Sequence, residues 1–216
     1  MKLVYFNGRG LAETSRLLMA LAKQDYEDFR YPLEIIDWST HNMVKEEFDR
    51  DKADGKLTLS LNKVPYLEVD GHVICQSKSI ERYLARRFNM MGSNDIEAAH
   101  IDSICEVVRD IKDAYQKVRR LDVEERTQGM NVWFNETLPS RFSDLEVILN
   151  NDNHSVGNLI SLADVVLYSL CVQFFDDKES AYAATSNTPK LRGIVNHISE
   201  NPLIEQWLER RPTTNF

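Results

Sequence analysis

Signals for β-strands stop near residue 89 of this 216-residue chain, and no other feature constrains its fold as strongly. Before that point, short apolar runs alternate with helical patterns; after it, apolar residues recur only at helical spacing. A chain of this length has room for two domains of ordinary size. We therefore predict an α/β domain over residues 1–88, a linker over 89–95 and an all-helical domain over 96–216.

The first domain is predicted to follow the order β-α-β, then an irregular stretch, then β-β-α. Residues 7–10 end the first strand, and the helical spacing of the leucines that follow makes this turn a connection from strand to helix. Asp70 and Gly71 form a tight turn between the two strands of a hairpin. The predicted elements are strands at 2–6, 26–31, 64–69 and 72–75, a helix that carries Leu17, Leu18 and Leu21, and a helix that begins with Ser77 as its N-cap.

The second domain is predicted to contain helices only. Ser161 and Asp164 match a capping box, in which two side chains satisfy backbone N–H groups at the start of a helix. Proline suits a first helical turn, which predicts two short helices near the C-terminus. The predicted helices are one with Ile101, Ile104, Cys105, Val108, Ile111 and Tyr115 on its apolar face, one over 129–149 with a kink at Pro139, one over 165–175, and two that follow Pro189 and Pro202.

Composition excludes several classes of function. The formal net charge of −8 and the pI near 5.2 argue against broad binding to nucleic acid or to an anionic membrane. The longest apolar run, 165–175, is too short to cross a bilayer. The histidines have no metal-ligand spacing, so we predict no metal site. The three scattered cysteines predict reduced thiols in a cytoplasmic protein.

Two places in the first domain have both a structural and a functional interpretation. Pro65 either opens an edge strand, which is the commoner case, or follows a cis peptide bond at a functional turn. Ser77 either only caps its helix or lies where free N–H groups and the helix dipole bind a carboxylate. The residues alone leave both alternatives open.

As an ordered set, these motifs resemble the cytosolic glutathione transferases, and in particular the sigma-like class, which includes haematopoietic prostaglandin D synthases and lens S-crystallins. The resemblance covers nearly the whole chain and implies a thioredoxin-like N-terminal domain that binds glutathione, followed by a C-terminal helical bundle that covers the electrophile. It rests on Tyr5–Asn7, Gly10, Ala12, Glu13, Val64–Leu67, Gln76–Ile80, Arg82–Leu84, Gly157 with the capping box, and Trp207–Thr213.

The resemblance implies a role for each matching residue. Tyr5 falls at the catalytic position, where its hydroxyl stabilises the thiolate of bound glutathione; a lone strand tyrosine is otherwise usually a packing residue. Glutathione is then a co-substrate, and no permanently bound cofactor is implied. The residues that match glutathione-binding positions are Trp38, Lys45, Lys63, Val64, Pro65, Gln76, Ser77 and Asp110.

Different members of this set would bind the three parts of the tripeptide. Gln76 and Ser77 match the positions that hold the γ-glutamyl carboxylate, and the main chain of Val64 would meet the cysteinyl backbone. The two lysines and Trp38 match the surroundings of the glycyl end. Asp110 is either a solvated helix charge or a residue that reaches the ammonium group of the ligand in the partner subunit of a homodimer.

The pocket for a hydrophobic electrophile is expected at Gly8, Leu11, Ile111, Tyr115 and Phe216. The chain also departs from the family pattern. Leu11 stands where many relatives carry an arginine beside the sulfur, and the stretch 38–63 is longer than usual. Lys117 replaces the tryptophan of the prostaglandin-isomerising members, which argues against prostaglandin D synthesis.

The expected activity is transfer of glutathione to an alkyl or aryl electrophile, as in detoxification, and a peroxidase or isomerase side activity is compatible with the same thiolate. The alternative is a crystallin-like or ligand-carrying protein of the same fold. The short connection at 121–126 favours the enzyme, because S-crystallins typically carry an insertion there. A redox enzyme that uses a cysteine is disfavoured, since no cysteine lies near the first turn.

Overall fold

The computed structural model describes residues 1–37 and 42–214. It divides into two compact units, one formed by 1–84 together with 207–216 and the other by 85–206. The sequence pattern places all residues after 95 in the helical domain, whereas the segment from Trp207 onward belongs to the first unit. The indole Nε1 of Trp207 donates a hydrogen bond of 2.9 Å to the buried carboxylate of Glu13. A contact between residues so far apart in the chain leaves no periodic signal.

Four strands of the first unit form one sheet in the order β2-β1-β5-β6. Strand β1 pairs in parallel with β2 and antiparallel with β5, and β5 pairs antiparallel with β6. This arrangement confirms the predicted βαβ-ββα order of a thioredoxin-like domain. The elements are β1 (Lys2–Phe6), α1 (Glu13–Leu21), β2 (Glu27–Tyr31), β3 (Glu34–Asp37), β4 (Asn42–Val44), α2 (Glu46–Ala53), β5 (Tyr66–Val69), β6 (His72–Cys75) and α3 (Ser77–Arg87), with 3₁₀ turns at Gly10–Ala12 and Thr58–Ser60.

The stretch between β2 and β5, predicted to be irregular, contains regular structure. Strands β3 and β4 pair antiparallel, and α2 follows them. The prediction was wrong because both elements carry weak signals. Strands of three and four residues are too short to show alternation, and α2 is mostly charged and buries only Phe48.

The core of the first unit fixes the end of β1. Val4, Tyr31, Phe48, Leu57 and Tyr66 form one buried cluster. Its aromatic rings meet edge to face, as Tyr31 does with Phe48 at a centroid distance of 5.6 Å, which is a favoured geometry for such pairs. Since Val4 belongs to this cluster, the residue after it, Tyr5, has a fixed position near the C-terminal end of β1.

The peptide bond between Val64 and Pro65 is cis, as in the less common of the two sequence interpretations; that the turn is functional stays a prediction. Strand β5 begins at the next residue, Tyr66. Pro65 therefore precedes the hydrogen-bonded ladder, where its missing N–H leaves no strand partner unsatisfied.

The helices of the rest of the chain agree with the predicted pattern, except that the short helix Lys178–Ala183 was not predicted and several boundaries differ. The capping box of Ser161 and Asp164 is present, as predicted. The helices are α4 (Asp95–Arg119), α5 (Val123–Val132), α6 (Leu138–Ile148), α7 (Leu162–Tyr168), α8 (Lys178–Ala183), α9 (Pro189–Ser199) and α10 (Pro202–Arg210), with π-helical segments at Trp133–Thr137 and Ser169–Phe174.

The predicted helix over 129–149 begins earlier, at Val123. The side chain of Asp122 caps it by accepting a hydrogen bond of 3.1 Å from the N–H of Glu125. The apolar pattern missed this start because α5 buries no side chain. The expected kink at Pro139 takes the form of a π-helical segment directly before it, in which the N–H of Leu138 bonds to the carbonyl of Trp133, five residues earlier.

Within residues 1–37 and 42–214, no helix combines the length and the apolar character that crossing a bilayer requires.

Candidate active site

Tyr5 lies one residue before the end of β1, and its hydroxyl faces the backbone of the loop that follows. The Tyr5 Oη accepts a hydrogen bond of 3.2 Å from the N–H of Leu11. No acceptor for the phenol proton lies among the residues that the structure describes. The Tyr5 hydroxyl is therefore available as a donor to a ligand at this end of β1.

The phenol of Tyr5 is neutral at physiological pH. Burial raises its pKa above the ordinary value, and this effect outweighs the opposite effects of the Leu11 N–H and of the positive charge of Arg16. A phenol in this state donates a hydrogen bond and does not act as a base. The site thus offers a hydrogen-bond donor to an anion.

Gly10 brings the loop close to the Tyr5 hydroxyl. Its φ is +36°, and a Cβ at this position would lie 2.5 Å from Tyr5 Oη. A side chain here would displace the hydroxyl, so the geometry around Tyr5 requires glycine.

Three neighbouring strands bring predicted site residues to the same end of the sheet. In the strand register, Val4 lies opposite Tyr66, and Tyr66 lies opposite Cys75. Tyr5, which follows Val4, is thus level with Pro65 before β5 and with Gln76 after β6. Adjacent strands lie about 4.8 Å apart, so Tyr5 and Gln76 are separated by about 10 Å in the plane of the sheet. This is the size of a small ligand.

Gln76 and Ser77 form the start of α3. The carbonyl of Gln76 accepts a hydrogen bond of 3.0 Å from the N–H of Ile80, and Gln76 has a φ of +71°. Gln76 therefore takes the N-cap position, and Ser77, predicted to be the cap, is the first helical residue. The side chain of Gln76 is exposed and that of Ser77 is half-buried.

The other predicted ligand residues of the first unit lie in different surroundings. Val64 is half-buried against the aromatic cluster, and Lys63 is exposed. Lys45 pairs with Asp49 at 2.5 Å, so binding of a second carboxylate would compete with that pair. Trp38 and Phe216 lie outside the described residues.

The predicted residues of α4 belong to the second unit. The side chain of Asp110 is 75% exposed, with a carboxylate oxygen 3.8 Å from Nη2 of Arg109. Ile111 and Tyr115 are buried, and Tyr115 packs against four aromatic rings, those of Trp133, Phe134, Phe174 and Phe175. In the first unit, Gly8 is buried and Leu11 is 56% exposed. That these residues line one pocket stays a prediction.

A buried group of charges beneath the β1–α1 loop was not predicted from the sequence. Arg16 is fully buried and donates to the carbonyl oxygen of Gly8 at 2.6 Å and to Asp28 at 3.2 Å. The signal for it is the pair Glu13 and Arg16, an acid and a base three residues apart in a helix whose residues 13–20 are all buried. Charged residues are rarely buried unless they are paired.

Two of the three cysteines are buried. Cys105 and Cys171 are buried in the second unit, and burial raises the pKa of the Cys171 thiol to about 12. A thiol in this state is a poor nucleophile at neutral pH.

Comparison with known proteins covers both parts of the chain. Residues 1–86 match "Glutathione S-transferase, N-terminal domain", and residues 110–211 match "Glutathione S-transferase, C-terminal domain". The chain is 30% identical to haematopoietic prostaglandin D synthase of Homo sapiens over 100% of its own length and 98% of the relative. It is 32% identical to the same protein of Gallus gallus, over 99% and 97% of the two chains.

A solved structure of similar fold is the monomeric glutathione S-transferase Na-GST-3 of the hookworm Necator americanus. It has a TM-score of 0.79 with this chain at 26% identity, and the match covers 100% of this chain and 98% of that one. Both predicted domains thus have counterparts in sequence and in structure, and the chain belongs to the glutathione S-transferase family.

Proposed function

We propose that this chain is a sigma-like, cytoplasmic glutathione transferase in which the Tyr5 hydroxyl donates a hydrogen bond to the glutathione thiolate, which then attacks a hydrophobic alkyl or aryl electrophile. The observation that carries the proposal is the Tyr5 hydroxyl itself. It accepts the N–H of Leu11, and burial keeps its proton in place. A neutral hydrogen-bond donor at the C-terminal end of β1 suits an anionic sulfur.

The required stabilisation is modest. A free thiol with a pKa of about 8.5 is only about 3% ionised at pH 7. Lowering that pKa by about 2 units takes about 2.7 kcal/mol and raises the ionised fraction to about three quarters. A hydrogen bond to a charged group contributes about 1.5–3 kcal/mol, so one phenol supplies most of this.

Ionisation does not account for the whole rate increase. A less basic thiolate is a weaker nucleophile, and with a Brønsted slope of about 0.45 the net gain from ionisation is only about threefold. The remaining acceleration must come from holding the electrophile beside a fixed sulfur atom.

The sheet edge supports the binding of glutathione. The start of α3 at Ser77 suits the γ-glutamyl carboxylate, because the first N–H groups of a helix have no intrahelical partner. Val64 and Pro65 would meet the cysteinyl backbone, and Lys63 or Lys45 the glycyl carboxylate. We further propose a homodimer in which the exposed Asp110 reaches the ammonium group of glutathione bound to the partner subunit.

The first test is a titration of glutathione bound to the native protein, followed by the ultraviolet absorbance of the thiolate. We expect its thiol pKa to lie about 2 units below that of free glutathione, for the reason given above. Turnover of a chlorodinitrobenzene-type substrate should accompany this shift. A bound thiol that ionises at the same pH as in free solution would contradict the proposal.

Replacement of Gly10 by alanine should disturb Tyr5 selectively. The new Cβ would lie 2.5 Å from Tyr5 Oη, so we expect conjugation to fall by about tenfold, equivalent to about 1.4 kcal/mol. The positive φ adds a loss of stability of about 1 kcal/mol. Steady-state kinetics and urea unfolding measure the two effects.

Gly71→Ala is the matched control. Gly71 also has a positive φ, +80°, but a Cβ there would have nothing within 4 Å. This variant should lose stability and keep its activity. Equal losses of activity in the two variants would show that backbone strain, and not the clash with Tyr5, is responsible.

A second candidate function is prostaglandin isomerisation, because relatives such as those of Homo sapiens and Gallus gallus carry the name haematopoietic prostaglandin D synthase. Lys117 of α4, which is exposed, stands where the isomerising members have a tryptophan, and it disfavours this reaction. Incubation with a prostaglandin endoperoxide and glutathione separates the two, since isomerisation consumes no glutathione and conjugation does.

A further inference from the structure

The loop after β1 rests on a buried cation. Nη1 of Arg16 lies 2.6 Å from the carbonyl oxygen of Gly8, and none of the Arg16 side chain is exposed. This loop carries Gly10 and leads to Leu11, whose N–H meets the Tyr5 hydroxyl. Arg16 thus holds the backbone that surrounds the proposed sulfur site.

Both carboxylates that face Arg16 are shared with a second arginine. Glu13 Oε2 lies 3.4 Å from Arg16, and its Oε1 lies 2.6 Å from Arg211. Asp28 Oδ1 lies 3.2 Å from Arg16, and its Oδ2 lies 2.7 Å from Arg30. The ion pairs of the described residues thus place three guanidinium groups against two carboxylates, so Arg16 shares both of its carboxylate partners with another arginine.

The charge of Arg16 acts at the Tyr5 hydroxyl. Its Coulomb attraction favours the ionised phenol, although burial is the larger effect and leaves the pKa raised. In a buried site the charge of a cation is screened less than in water, because the effective dielectric constant is lower. A thiolate that accepts a hydrogen bond from the Tyr5 hydroxyl would therefore also be attracted by Arg16. The adjacent Leu11 side chain offers no charge of its own.

We propose that Arg16 supports the glutathione thiolate from beneath the β1–α1 loop, and that Arg211, through the carboxylate of Glu13, sets how much of that support reaches the sulfur. Arg16 is a positioning residue, since it touches the loop and not the substrate. This role presupposes the proposed function of Tyr5.

Tyr26, just before β2, is a further titratable group near this cluster. Its hydroxyl is buried and has no hydrogen-bond partner in the described part of the chain. Burial, followed by the negative charge of Asp28, raises the pKa of the Tyr26 phenol. Tyr26 therefore stays neutral, and in the described part of the chain the charges of this ion-pair cluster are those of Arg16 and Glu13 on α1, Asp28 and Arg30 on β2, and Arg211 after α10.

The test removes one charge of each sign from the same ion pair. Arg211→Gln makes the cluster less positive, so the pKa of bound glutathione should rise and its thiolate fraction below that pKa should fall by about threefold. Glu13→Gln makes the cluster more positive, so the thiolate fraction should increase by a similar factor. The ultraviolet titration of the thiolate measures both.

Arg210→Gln is the matched control. It removes the same charge one residue earlier, from an exposed side chain whose guanidinium carbon lies 5.5 Å from the Trp207 ring centroid. We expect no change in the thiol titration. If Glu13→Gln does not fold, Asp28→Asn removes the second carboxylate that faces Arg16, and its expected effect has the same sign as that of Glu13→Gln.

Opposite shifts in the two variants support an electrostatic role. Shifts in the same direction, or none, overturn it, because loss of structure alone would weaken the thiolate in both. A wild-type complex without a lowered thiol pKa would contradict the proposed function itself. A lowered pKa that responds to Tyr5→Phe but not to Arg211→Gln and Glu13→Gln would overturn only the role of Arg16.

Discussion

Replacement of Tyr5 by phenylalanine is expected to lower kcat/KM for conjugation by about ten- to hundredfold at pH 7, because a hydrogen bond to a charged group contributes about 1.5–3 kcal/mol. The ring and its edge-to-face contact with Phe6 remain, so the fold should be unaffected. Ionisation explains about threefold of this loss, and the rest is the loss of a fixed sulfur position. Steady-state kinetics across pH measure the effect.

The pH dependence distinguishes this explanation from simple damage. The variant's bound thiol should ionise at higher pH, so its deficit should shrink as the pH rises towards 9 and more thiolate forms without help. Tyr182→Phe is the control, since it removes the same phenol hydroxyl from a side chain that is 45% exposed. Equal activity of Tyr5→Phe and the native protein would remove Tyr5 from the mechanism.

Replacement of Asp164 by alanine is expected to destabilise the second unit by about 3–5 kcal/mol, because it leaves several buried donors without a partner. The Asp164 carboxylate is fully buried. It accepts from the N–H of Ser155 at 2.6 Å and from the N–H and hydroxyl of Ser161 at 2.7 and 2.9 Å. Equilibrium urea unfolding followed by circular dichroism measures the loss.

Asp122→Ala provides the comparison for this variant. Asp122 also caps a helix, but it is exposed and accepts one backbone hydrogen bond, of 3.1 Å. Loss of such a cap costs about 1 kcal/mol. If Asp164→Ala costs no more than Asp122→Ala, the burial of the carboxylate does not matter to stability.

The sequence predicted the elements that carry a strong local pattern. The strand of Lys2–Phe6, the Asp70–Gly71 hairpin turn and the capping box at Ser161 each depend on neighbours within a few residues, and all three are present. The thioredoxin-like fold class followed from the resemblance to a known family, whereas the order of the strands in the sheet was not predicted. Elements with little apolar content, such as α2 and the first turns of α5, were missed or misplaced.

Less of the candidate site could be predicted from the sequence. Tyr5 and Gln76 could be named from their motifs, but their alignment across the sheet is a property of strand register. The contact of Glu13 with Trp207 joins residues 194 positions apart, and no local pattern encodes such a distance. A buried acid and base in one apolar helix indicate that partners exist without identifying them.

The return of the C-terminal segment to the first unit has a consequence for biosynthesis. About 120 residues of the second unit separate the two parts of the first. At roughly 5–20 residues per second, the ribosome needs about 6–24 s to translate them. During this interval the Glu13 carboxylate lacks its contacts with Trp207 and Arg211, so the N-terminal segment completes its structure only after these two residues have been translated.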